Sequence, residues 1–98
     1  MGMIMRILVP EKINKFLQKQ LKKDCENIRK VDFFLKELEN VENPQALKNA
    51  AKVQGIAGNY WRWKVAKYRI IGEIVNNEAK IIIIKIDKRK EDTYDKGL

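Results

Sequence analysis

The chain contains no histidine, one cysteine and two prolines. Without histidine there is no imidazole acid–base pair and no histidine-containing metal site. With Cys25 as the only thiol, a zinc site would have to be built from carboxylates, a poor donor set for that ion. A single cysteine also allows no internal disulfide, which fits a reducing compartment and gives the cytoplasm as the expected location. No stretch approaches the roughly 20 apolar residues of a membrane span, so no membrane partner is expected. The opening MGMIMRILVP has only a short apolar run before Pro10 and a charged segment, unlike a secretory signal. If the protein is an enzyme, its proton transfers fall to Lys, Arg, Tyr, Asp or Glu.

Positive charge, by contrast, is abundant. Against 13 Asp and Glu stand 21 Lys and Arg, a net charge of +8 over 98 residues. Residues 1–49 carry a net +3 and residues 50–98 a net +5. The excess leans toward the C-terminal half and points to a polyanion or an acidic protein as partner. Length and apolar content suit one globular domain spanning 1–98.

Hydrophobic periodicity orders the chain. Ile4 to Val9 reads as a short strand ended by Pro10. From Glu11 the period becomes helical: Ile13, Phe16, Leu17 and Leu21 share a face, and Lys12, Lys15, Lys19, Lys22 and Lys23 mostly point away as a solvated surface. A second helix carries Ile28, Val31, Leu35 and Leu38, with Asp24 or Asn27 as its cap and Asn43–Pro44 as its stop. The two form an antiparallel hairpin. Residues 44–55 read as a turn and a helical fragment. Beyond Gly58 the chain reads as three strands, at 59–65, 67–75 and 79–87, with Asn76–Asn77 as a hairpin turn. Four consecutive isoleucines suit a central strand covered on both faces.

Within 61–70, WRWKVAKYRI, the alternation is strict. Trp61, Trp63 and Val65 point one way and Tyr60, Arg62 and Lys64 the other. The tryptophans belong beneath the helices. The cations then line the opposite face, because slipping by one residue would bury Arg62 and Lys64 instead. Arg62, Lys64, Arg69 and Arg89 are candidates to converge there, with Tyr94 close behind.

The run GNYWRWKVAKYRII, the Asn-Pro after the helix pair and the C-terminal KRKEDTY together resemble the RelE/ParE superfamily of toxins from toxin–antitoxin modules, and within it the RelE-type mRNA endonucleases. Trp61 through Ile70 match the family's middle motif position for position, and Lys88, Arg89 and Tyr94 match its basic pair and following tyrosine. The resemblance implies an α+β fold, with a short N-terminal strand and a two-helix antiparallel hairpin packed on an antiparallel three- to four-stranded sheet. It also implies a type II toxin that cuts mRNA in the ribosomal A site without metal or cofactor and halts translation.

On that resemblance Lys64 takes the place of the general base, whose charged form Arg62, Lys67, Arg69 and Arg89 disfavour. Arg69 takes the place of the group that stabilises the phosphorane, and Arg89 that of the group serving the leaving oxygen. Arg62 adds a phosphate contact, Lys67 and Lys88 add charge for RNA, and Tyr94 stacks on a base or orients the backbone. The C-terminal spacing can be aligned with either Lys88 or Arg89 as the catalytic cation. The Gly-Asp common at the strand turn is Ala66–Lys67 here. The implied partners are the ribosome, mRNA and a small RelB-like antitoxin in a hetero-oligomer. Two alternatives stay open: a ParE-like toxin that binds DNA gyrase and lacks ribonuclease activity, and a catalytically silent RNA-binding module.

Overall fold

The computed structural model describes residues 6–55, 57–75 and 78–88. A short strand β1 (Arg6–Leu8) leads into two helices, α1 (Glu11–Lys23) and α2 (Cys25–Leu38). A single 3-10 turn at Pro44–Ala46 follows, then strands β2 (Ala50–Lys52), β3 (Tyr60–Val65), β4 (Tyr68–Val75) and β5 (Lys80–Lys88). The sheet order is β1-β5-β4-β3-β2. The β2, β3, β4 and β5 neighbours are antiparallel, whereas β1 runs parallel to β5. The result is α+β, two helices on a five-stranded mixed sheet.

Several details differ from the sequence reading, beginning with the sheet, which has five strands and a parallel β1 where three or four antiparallel strands were expected. The segment after Pro44 contributes a strand, β2, where a helical fragment was expected. Ala50, Ala51 and Lys52 have little intrinsic claim to a strand, and their pairing with Trp63, Arg62 and Trp61 decides the matter. The second helix ends at Leu38, and Pro44 starts the 3-10 turn instead of stopping α2; proline at the first helical position costs nothing, since its missing N–H would be unpaired there.

The helix stripes meet the sheet as the periodicity requires. Ile13, Ile28, Val31, Leu35 and Leu38 pack on Trp63, Tyr68, Ile70, Ile74, Ile81, Ile83 and Ile86, all buried. Trp63 is fully enclosed; its indole Nε1 donates to the Pro44 carbonyl at 3.0 Å and its ring lies 6.4 Å from that of Phe34. Gly72 leaves room for this indole, since a Cβ there would sit 3.3 Å from Trp63 Cζ3 and 3.1 Å from Ile81 Cγ2.

The isoleucine run behaves otherwise than its uniformity suggests. Ile71 pairs with Lys85 but Gly72 with Ile83, so Ile84 is an extra residue in β5. The bulge exchanges the faces: Ile81 and Ile83 are buried before it, and Ile86 after it. Ile84 is 47% exposed, so only the helix side of this central strand is covered by described residues.

Asp24 alone separates the two helices, and its side chain caps neither. Its carboxylate instead accepts from Asn27 Nδ2 at 3.0 and 3.1 Å and from the Tyr68 hydroxyl at 3.2 Å, tying the helix corner to β4. The Asn27 contact, with help from Tyr68 and the charge of Lys67, holds the Asp24 carboxyl below its ordinary value. Burial of the Tyr68 ring, then the charge and hydrogen bond of Asp24, raise the phenol above 10.0.

A raised phenol favours the folded state below about pH 10 and loses that advantage as pH rises through its folded value. A depressed carboxyl contributes above its ordinary value of 3.8 and loses this as pH falls. Tyr68→Phe should therefore be less stable than wild type to urea at pH 7–9, with the gap closing above about pH 10. A gap that does not change with pH would refute the role given to the Tyr68–Asp24 contact.

Candidate nucleic-acid interface

The sheet face away from the helices carries the cations. In the β3–β4 ladder Lys64 lies directly opposite Arg69, and Arg62 opposite Ile71. Trp63 and Ile70, on the buried face between them, fix this parity. Lys64 is exposed, and among the described residues no carboxylate lies within 4.0 Å of its amine. Its backbone is held on both sides by Asn49: the Lys64 N–H donates to the Asn49 carbonyl at 3.2 Å, and Asn49 Nδ2 donates to the Lys64 carbonyl at 2.9 Å. The amine is thus free at its tip and fixed at its root.

Arg69 is half-buried, with Nε 3.4 Å from Asp87 Oδ1 on β5, its register partner. Asp87 Oδ2 lies 3.5 Å from Lys85 Nζ. Arg62 is half-buried too; its Nε is shielded from solvent and has no hydrogen-bond partner among the described residues. A shielded, unsatisfied donor on a cationic group is costly unless an acceptor completes it. Four cations (Arg62, Lys64, Arg69 and Lys85) therefore share one end of the sheet face, where among the described residues Asp87 is the carboxylate that contacts Arg69 and Lys85, an arrangement suited to an anionic backbone. Among the described residues no three Cys, Asp or Glu side chains gather closely enough to hold a metal ion.

The other candidates divide. Lys67 is exposed in the turn between β3 and β4, near enough to Asp24 for its charge to be felt there. Lys88 pairs with Tyr68, which puts it on the helix side of the sheet, away from Lys64 and Arg69. Arg89 and Tyr94 lie outside the described residues. Sequence reasoning missed Lys85 and Asp87. Counting by twos from the buried Ile81 sends both toward the helices; only the bulge at Ile84 brings them to the open face. Asn49 was missed because its role depends on β2, itself unforeseen.

The sequence profile of the ParE toxin of type II toxin–antitoxin systems (parDE) matches residues 11–93. The chain belongs to this toxin family. No curated protein sequence matches the toxin closely enough to count as a relative. Its fold is that of several solved toxins. The archaeal RelE–RelB complex from Pyrococcus horikoshii OT3 matches with a TM-score of 0.71 and 24% identity over 89% of this chain and 97% of the other. The RelBE2 toxin–antitoxin complex from Mycobacterium tuberculosis gives 0.68 and 14%, over 88% and 99%. A mutant of the E. coli toxin RelE in the free state gives 0.66 and 17%, over 95% and 93%. The toxin is therefore a member of the RelE/ParE superfamily and of a type II toxin–antitoxin system.

Proposed function

We propose that this toxin is a ribonuclease of the RelE type, cutting mRNA in the ribosomal A site by attack of a ribose 2′-hydroxyl on the adjacent phosphodiester. The observation that carries the reading is the cross-strand pair of Lys64 and Arg69 beside Arg62 on an open sheet face. Lys64 takes the 2′-hydroxyl proton as the general base. The 2′-oxygen bonds to phosphorus, and the negative charge of the phosphorane rests on the Arg69 guanidinium. The bond to the 5′-oxygen breaks; Arg89 stabilises the charge on that leaving oxygen, which takes up a proton from solvent, and Lys64 later returns its proton to solvent. The products are a 2′,3′-cyclic phosphate and a free 5′-hydroxyl. Arg62 binds a neighbouring phosphate, and Lys67 and Tyr94 extend the RNA contact, whereas Lys88, on the helix side of the sheet, is left out of it.

Its partner in the resting state is a small RelB-like antitoxin, acidic in the segment that meets this basic chain. The two complexes among its structural neighbours support that pairing. The ParE name of the matching profile favours a second reading, gyrase binding without ribonuclease activity. Two assays together separate them. In a reconstituted translating system, primer extension should reveal wild-type cuts inside A-site codons. Intact mRNA with inhibited DNA supercoiling by gyrase would establish the second reading instead.

A further inference from the structure

Asp87 is the only carboxylate within 4.0 Å of Arg69 or Lys85 among the described residues. It comes from β5, directly across the ladder from Arg69, and meets the guanidinium at Nε. An arginine side chain loses much rotational freedom when held, and like charge on Lys64 and Arg62 repels it. Held at Nε, it keeps the edge formed by its two terminal nitrogens for an anion, the edge suited to paired phosphate oxygens. The second oxygen of Asp87 faces Lys85, which anchors the carboxylate from its own strand.

We propose that Asp87 is a positioning residue, which fixes the Arg69 guanidinium so that its free edge meets the scissile phosphate beside Lys64. The proposal rests on the ribonuclease reading. It also predicts a split that mere charge would not produce. Deleting a negative charge from a basic face strengthens polyanion binding, whereas freeing Arg69 slows the chemistry by misplacing it.

The test is steady-state cleavage in the translating system by wild type, Asp87→Asn, Arg69→Ala and the double variant. Asp87→Asn should lower kcat roughly 10- to 100-fold with KM unchanged or reduced, and should cost nothing further in the Arg69→Ala background. A wild-type kcat, a rise in KM alone, or a loss that adds in full to that of Arg69→Ala overturns the proposal. Should the variants fold poorly, NMR of wild type labelled with 15N-arginine reads the contact directly. An Arg69 Nε–H that exchanges slowly with solvent supports the clamp, and a freely exchanging one overturns it. If wild type cuts no mRNA, the ribonuclease reading itself fails, and the NMR result alone decides whether Asp87 holds Arg69.

Discussion

Replacing Lys64 by alanine is expected to slow mRNA cleavage by about 10²- to 10⁴-fold, the usual worth of a general base, while leaving the fold unchanged. The structure separates the two effects unusually well. The Lys64 amine is solvent-exposed and forms no ion pair with a described carboxylate, so truncation opens no cavity and strands no buried charge. The strand is held through Lys64's backbone by Asn49, and alanine keeps both hydrogen bonds. Stability should then stay within about 0.5 kcal/mol of wild type, as for surface changes away from special features. Primer extension of the cut message and urea unfolding of the same preparations measure the two quantities. Cleavage at the wild-type rate would remove Lys64 from the chemistry.

The opposite signature is expected one residue away. Trp63→Ala should cost about 3–5 kcal/mol of stability, a large part of the total of roughly 5–15 kcal/mol that a domain of this kind possesses. The indole is fully buried, lies against Phe34 and meets the glycine gap at position 72. Removing it also strips the Pro44 carbonyl of its donor in a buried setting. Neighbouring Lys64 and Arg62 would keep their identity yet lose the strand that presents them. The urea midpoint should fall sharply, and any surviving folded fraction should cleave with normal kcat. A midpoint near that of wild type would mean that the indole does not organise this core.

Where the sequence was legible, the reason was period. Trp61, Arg62, Trp63 and Lys64 alternate without interruption, and one slip would reverse core and surface, so their facing could be read from spacing alone. The helix stripes were legible on the same ground. What could not be read were the places where pairing overrides local preference. Ala50–Lys52 becomes a strand because β3 offers it a ladder. The bulge at Ile84 is hidden within four identical residues, and with it the facing of Lys85 and Asp87. The capping role foreseen for Asp24 or Asn27 gave way to a contact of Asp24 with Tyr68, a residue 44 positions distant that no local rule could supply.

The parallel pairing of β1 with β5 has a consequence in time. A ribosome makes the helices first and β5 last, yet β5 lies between β1 and β4 and supplies Ile81, Ile83 and Ile86 to the core. Until residue 88 has been synthesised and has cleared the exit tunnel, the hairpin has only part of its sheet to cover, and Arg69 has no Asp87 across from it. Long-range pairing of this kind closes late. If the toxin acts on translating ribosomes as proposed, it would gain its competence only after its own ribosome had finished the segment on which that competence depends, a delay written into strand order and requiring no inhibitor.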